Sequence, residues 1–286
     1  MLESLINPKR AEKGPWKMFF IGLLYASLSV LLVKIFFSSD PVLIKYSGLL
    51  VVTFCVMFSL PFIYYIIKQE EEEDEIVEGL RRIWSVHKDA VFALIWLFLG
   101  FVIAFSFWFL VLQDSNLLNA QIETYCSINS PSSIAECVTQ YSTGTFIGPT
   151  GYAIGVPRFL SILENNFYVL VFTLLFSLIF GAGAIFVLAW NATVIASAIG
   201  IFTKFELSQI PYGLLRYMIH GLPEITAYFL TALAGGILGA GFIRNGLNNR
   251  RFLHVLENVV VLLFAAIIIL IIAGFMEVYL TPLLFH

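Results

Sequence analysis

Long apolar runs separated by short polar turns dominate this chain. Residues 18–37 and 42–67 are almost unbroken apolar stretches, each long enough to cross a bilayer core as a helix. The tight Ser38-Ser39-Asp40-Pro41 turn between them predicts an antiparallel helical hairpin, with Pro61 placed to kink its second arm. Lys34 and Lys45 sit near the ends of their runs, where their stems can reach the headgroups. A third run, 91–112, is unusually aromatic, and a fourth covers 167–190. Residues 192–202 are apolar but too short to span alone, and the pattern resumes after Lys204 and Glu206 through Pro211 to His220. Asn191 to His220 therefore reads as a broken or re-entrant helix, followed by runs at 224–242 and 255–279. The predicted class is all-α, a polytopic helical membrane protein with about six full spans plus that broken helix near residues 191–220.

Two polar regions interrupt the pattern. Residues 68–89 open with an acidic run from Glu70 to Glu75, which reads either as a solvated linker or as a cation or partner site. Ile76, Val77, Leu80, Ile83, Trp84 and His87 then recur at helical spacing opposite Glu78, Arg81 and Arg82, predicting a charged helix on the membrane surface. Residues 113–164 are rich in Ser, Thr, Gly and Asn and hold one basic residue, Arg158. Basic residues favour the cytoplasmic side of short loops. Lys9, Arg10, Lys13 and Lys17 thus predict a cytoplasmic N-terminus, and Lys68, Arg81, Arg82 and Lys88 agree after two crossings. Region 113–164 is then extracytoplasmic. Keeping Arg244, Arg250 and Arg251 inside requires one crossing within 191–220 and puts the C-terminus outside, whereas re-entry there would violate the rule. The expected organisation is one membrane domain over 1–286: N-terminal helices 1–112 with the charged cytoplasmic helix 68–89, the outer region 113–164, and a helical core 165–286.

Composition agrees: 59% of the residues are hydrophobic and 12% charged, where soluble domains are roughly 45–50% apolar. A net charge of −3 and the lack of a Gly-rich phosphate loop argue against nucleic acid as a partner. The polar first residues precede an apolar run without a small-residue cleavage site, so the first span is expected to be retained. An oxidising exterior would let Cys126 and Cys137 pair, stabilising the short loop by roughly 3 kcal/mol, the alternative being two free thiols. Cys55 reads as a small packing residue.

The segment His220-Gly221-Leu222-Pro223-Glu224 concentrates polar groups inside an apolar environment, where they are costly and often functional. Pro223 suits the first turn of a helix, Glu224 would lie in that turn, and His220 would end the preceding helix. The pair then marks the meeting point of two helices, either as a structural break or as a site completed by Asn191. Expected partners of Glu224 are the N-H groups of its own helix start, His220, Asn191 or Arg216. Gly235 and Gly239 form a GxxxG face, for packing within the monomer or for a dimer seam. Glu164-Asn165-Asn166 and Glu257-Asn258 open two spans in similar contexts, consistent with an inverted repeat or with two independently capped helices. No HExxH or G-x-S-x-G motif occurs, the four histidines are scattered, and no catalytic, metal or cofactor site is expected.

The second half resembles the stage II sporulation protein M family of membrane proteins. The resemblance rests on Asn165-Asn166, Gly181-x-Gly183, the Trp190-Asn191 to Gly200 segment, and above all His220-Gly221-x-x-Glu224 followed by the small-residue helix to Gly239. The close EVYLTP at 277–282 and the start INPKRAEKGPW are also similar, although Ala192 stands where the family often has Gly. The resemblance implies a non-enzymatic membrane scaffold or anchor, because the member in spore formers anchors wall hydrolases during engulfment. Protein partners, membrane lipids and a homo-oligomer follow as expected associations. A permease-like protein moving a small solute, ion or lipid is the alternative, with His220, Glu224 and Asn191 at discontinuous helices.

Overall fold

The computed structural model describes residues 14–74, 80–129, 133–143, 155–180, 185–203, 206–245 and 250–285. Among the described residues regular structure is wholly helical. The helices are α1 (Lys17–Phe36), α2 (Ser47–Asp74), α3 (Leu80–Leu112), α4 (Asn119–Asn129), α5 (Ile134–Thr143), α6 (Val156–Phe180), α7 (Ile185–Phe202), α8 (Ile210–Asn245), α9 (Arg250–Phe275) and α10 (Thr281–Leu284), with a π-helical turn at Met276–Leu280 between the last two. Seven helices among the described residues are long and apolar enough to cross a membrane. A bilayer core offers no water to backbone N-H and C=O groups, so a spanning segment of this composition satisfies them within itself.

Helix boundaries differ from the sequence pattern in three places. The run 167–190 divides between α6, which already begins at Val156, and α7, which begins at Ile185. Hydropathy missed the start of α6 because its first turns carry Arg158, Ser161 and Glu164. The expected broken helix near 191–220 is also redistributed. The break falls just after α7, where Thr203 caps back to Ile199 and a short 3-10 turn, Leu207–Gln209, leads into α8. Helix α8 then continues through Gly221 and Pro223 without interruption. An internal proline removes one helical hydrogen bond, which a membrane helix tolerates when its neighbours hold it in place. Finally, the charged stretch 68–89 is no separate surface helix, since α2 extends to Asp74 and α3 starts at Leu80, with 75–79 outside the described residues. Nothing between Asp89 and Val91 breaks a helix, so the backbone from Leu80 through His87 runs straight into the third span. There His87 is buried and its Nδ1 lies 2.6 Å from the carboxylate of the equally buried Glu70, closing α2 onto α3.

Glycines set the closest helix contacts. A Cβ on Gly22 of α1 would strike the Leu97 carbonyl, and one on Gly100 of α3 would strike the Phe19 carbonyl. The two glycines face each other, so the backbones meet directly. On α8, a Cβ at Gly235 would lie 2.8 Å from the Leu174 carbonyl oxygen of α6, and one at Gly239 2.5 Å from that of Leu178. The Ser177 hydroxyl donates to the Ala232 carbonyl at the same seam. The GxxxG face is therefore occupied by α6 of the same chain, which answers the choice between internal packing and a dimer seam. Helix α8 sits between α6 and α9 and also meets α2, α3 and α7.

Consecutive spans alternate in direction, so the ends of α1, α3, α7 and α9 share one end of the bundle with the starts of α2, α6 and α8. That end carries α4 and α5. Lys34 Nζ at the end of α1 bonds Asp114 Oδ2 at 2.6 Å, so it has a carboxylate partner besides its route to the headgroups. Gln121 Nε2 of α4 donates to the Gly48 carbonyl of α2 at 3.1 Å, and a disulfide joins Cys126 of α4 to Cys137 of α5. Cys55 is free and buried, in keeping with a packing role.

Candidate functional site

Because α8 is continuous, Arg216, His220 and Glu224 fall four residues apart on one face of a single helix. The expectation that His220 and Glu224 mark a junction of two helices is thus corrected: they are stacked groups on one helix. Their faces open on a cavity of about 420 Å³. Asn165 and Asn166 of α6, Asn191 of α7, and His220, Gly221 and Glu224 of α8 all line it. The sequence also raised Arg216, as a partner for Glu224, and it lines the same wall. Arg158, Glu277 and Thr281 line it too; the sequence drew attention to them only as a lone basic residue and as part of the EVYLTP close, not as site residues. Their signal was present, since Arg158 is the one basic residue of 113–164 and Glu277 the one acid of the run 258–286.

The polar groups are held by specific bonds. Glu224 Oε1 accepts from the Tyr228 hydroxyl at 3.0 Å, one turn deeper along α8, and the Asn166 side chain also hydrogen-bonds this carboxyl group. Tyr228 is fully buried. These partners replace the helix-start N-H groups expected for Glu224, because a residue in mid-helix finds those N-H groups already engaged. Asn165 Nδ2 donates to Asn166 Oδ1 at 3.3 Å, and Asn191 Nδ2 donates to the Val187 carbonyl at 2.7 Å. His220 Nδ1 lies 3.0 Å from Thr281 Oγ1, which lies 3.1 Å from the Met276 carbonyl oxygen. A hydroxyl has one proton and a carbonyl can only accept it, so Thr281 donates to Met276 and His220 Nδ1 donates to Thr281. In the neutral ring Nε2 is then an acceptor. Arg216 Nη1 donates to the Phe285 carbonyl at 2.9 Å, with its guanidinium 4.6 Å from the centre of the Phe202 ring.

The final turns of the chain complete the cavity. The π-helical turn Met276–Leu280 rotates the chain out of α9 register and carries Glu277 into the lining, near enough to interact electrostatically with both Glu224 and Arg158. Such π turns are frequent at functional positions. From α4, Tyr125 and Ser127 reach the same cavity on either side of the disulfide-bonded Cys126. The cavity thus belongs to the end of the bundle that α4 and α5 cover. Glu164, by contrast, is exposed and accepts from the Tyr168 hydroxyl at 3.2 Å, while Glu257 is exposed beside His254 at 3.5 Å. Gly235 and Gly239 serve packing away from the cavity, and Gly181 and Gly183 lie outside the described residues. Among the described residues no group of three or more His, Cys, Asp or Glu side chains is placed to hold a metal ion. Mixed charge, carboxamides and hydroxyls around one concave volume suit recognition of a polar molecule.

No curated protein and no solved structure matches this chain. The family described as Stage II sporulation protein M matches residues 51–282, reaching well before the motifs noted in the second half and including the cavity-lining part of every helix named above. This multi-pass helical membrane protein, matched over most of its 286 residues, belongs to the Stage II sporulation protein M family.

Proposed function

We propose that this protein binds a small polar solute in the cavity between α6, α7, α8 and the end of α9, as a permease-like membrane component rather than as an enzyme. One observation carries the reading: polar residues scattered from Tyr125 to Thr281 converge on a single cavity of about 420 Å³. Polar side chains serving only to join the helices would be expected to pair closely with one another rather than to line an open volume. The reading takes the N-terminus as cytoplasmic and Arg244, Arg250 and Arg251 as inside, as the distribution of basic residues predicts; with seven crossings the cavity would then face the outer side and the C-terminus would lie outside. The α4 and α5 pair then forms its outer rim, in a compartment that sustains the disulfide.

Single cysteines test the reading in a Cys55→Ser background. Val194→Cys and Ile195→Cys, both facing the cavity, are expected to react with a membrane-impermeant cationic methanethiosulfonate, and Ala227→Cys, fully buried, is not. If neither cavity position reacts while the folded protein is intact, the cavity is dry and solute binding is lost as a reading.

The scaffold reading implied by the family draws on a different feature. The disulfide-closed α4 and α5 pair presents a covalently braced surface at the bundle end, suited to recruiting protein partners. Pull-down from native membranes separates the two, because recovery of the protein without partners at native abundance counts against a scaffold and leaves solute binding untouched.

A further inference from the structure

Around the cavity, uncharged side chains of α4, α6, α7 and α8 turn donors to the protein and leave acceptors for the volume. Asn191 Nδ2 donates to the Val187 carbonyl at 2.7 Å, which fixes the amide and leaves Oδ1 to accept. Asn165 Nδ2 donates to Asn166 Oδ1 at 3.3 Å, and Asn166 in turn donates its amide N-H to the Glu224 carboxyl group, so the outer end of that series is Asn165 Oδ1. His220 Nδ1 donates to Thr281 Oγ1, whose proton goes to Met276, and Nε2 is left to accept. Ser127, on the α4 rim, gives its one proton to the Thr124 carbonyl at 2.8 Å. Among the described residues nothing donates to Asn191 Oδ1 or His220 Nε2, and neither atom is sealed inside the protein.

We infer that the ligand class of this cavity is a small soluble polyol, its hydroxyl groups donating to Asn165 Oδ1, Asn191 Oδ1 and His220 Nε2. The inference rests on the solute-binding reading and narrows it. Acceptors on separate helices call for donors spread along a molecule, whereas an ammonium group concentrates its donors on one nitrogen. A carboxylate or phosphate brings acceptors alone and leaves all three unmet. A hydroxyl donates once and also accepts, so it suits the Ser161 hydroxyl on the same lining in either role. Being uncharged, a polyol enters without the cost of desolvating a charge. The match uses no charge of Arg158 or Arg216, which keep their protein partners. A site built to hydrogen-bond hydroxyl groups rejects an analogue lacking them, because its own polar groups are then left unpaired.

Calorimetric binding to the full chain in phosphatidylcholine nanodiscs tests this with probes of one chain length: xylitol, pentane-1,5-diol (inner hydroxyls removed), cadaverine (donors on a dication) and glutarate (acceptors on a dianion). Glycerol, erythritol and sorbitol extend the polyol series. The best polyol is expected to bind at least about tenfold more tightly than the diol, cadaverine or glutarate, a difference of about 1.4 kcal/mol. His220→Phe removes the Nε2 acceptor and should weaken polyol binding about tenfold, whereas His220→Gln still offers an acceptor and should lose less. Unchanged polyol binding in folded His220→Phe overturns the inference. Equal or tighter binding of the diol, cadaverine or glutarate overturns the polyol but leaves solute binding standing. Binding of no probe, with Val194→Cys still reactive, also overturns the polyol and not the wet cavity. Repeating the titration in phosphatidylglycerol nanodiscs identifies the source, since that headgroup ends in a glycerol. Polyol binding retained there supports a free solute, and its loss there alone reassigns the same chemistry to the lipid headgroup and overturns the soluble ligand.

Discussion

Glu224 shows how a single intramembrane residue is read through its partners. Its carboxyl group receives the hydroxyl of Tyr228, which is fully buried. Glu224→Ala leaves that hydroxyl without this acceptor and should cost about 1–3 kcal/mol, whereas Glu224→Gln keeps an acceptor and should cost less. Adding Tyr228→Phe to the alanine variant removes the stranded hydroxyl and should recover part of the loss. Detergent melting temperatures decide it: equal values for wild type, Gln and Ala variants would show that Glu224 carries no structural weight. Asp40 offers a second residue-scale test, outside the spans. Its Oδ1 accepts the N-H groups of Val42 at 2.8 Å and Leu43 at 2.9 Å, and these two bonds hold its carboxyl below the ordinary value of 3.8. A folded-state value lowered in this way contributes stability above the unfolded value and loses it as pH falls through the folded one. The Val42 amide signal should therefore titrate with a midpoint below 3.8, and a midpoint at or above that value would contradict the turn geometry.

At the scale of elements, the same substitution has opposite consequences depending on what the helix faces. Gly22→Ala and Gly100→Ala push a methyl into a facing backbone carbonyl, which cannot move without separating α1 from α3, and each should cost about 1–3 kcal/mol. Gly221→Ala meets only ordinary contacts, the Met218 methyl at 3.6 Å and Ile195 Cδ1 at 4.0 Å. It should be neutral or stabilising by up to about 1 kcal/mol, since alanine favours a helix over glycine. Denaturant midpoints in detergent should order the three variants accordingly, and a Gly221→Ala loss as large as the others would mean that the α8 face is tighter than described. The disulfide between α4 and α5 is also an element-scale device. Closing a loop with a sequence separation of 11 should contribute about 2–4 kcal/mol to the outer pair. Cys126→Ser with Cys137→Ser should lower the melting temperature and increase proteolysis near 119–143, and an unchanged protease pattern would show that packing on α7 suffices.

At the scale of the whole molecule, the odd number of candidate spans among the described residues is the testable property. Seven crossings would put the two termini on opposite faces of the membrane. Fusions of a reporter that fluoresces only in the cytoplasm should be bright at the N-terminus and dark at the C-terminus, and equal signals would mean that one candidate does not cross. The segment most open to that outcome on length alone is α7, whose 18 residues span about 27 Å.

The one-dimensional pattern was enough to establish an all-α membrane protein and to mark most of the apolar helices. A long apolar segment in lipid has few ways to satisfy its own backbone, and that constraint is local. The pattern also marked Asn165, Asn166, Asn191, His220, Gly221 and Glu224, because a polar residue inside an apolar run is conspicuous wherever it lies. Where α6 begins, whether Pro223 ends a helix, and whether 68–89 leaves the bundle were decided by neighbours, since a proline or a charged turn is tolerated or not according to the packing around it. Only the tertiary structure brought Glu277 near Glu224 and Arg158, and Thr281 beside His220, across long separations in the chain. Helix periodicity states which residues share a face but not which faces meet. The faces that meet here were chosen by glycines and small side chains at Gly22, Gly100, Gly235 and Gly239, whose fit exists only between helices.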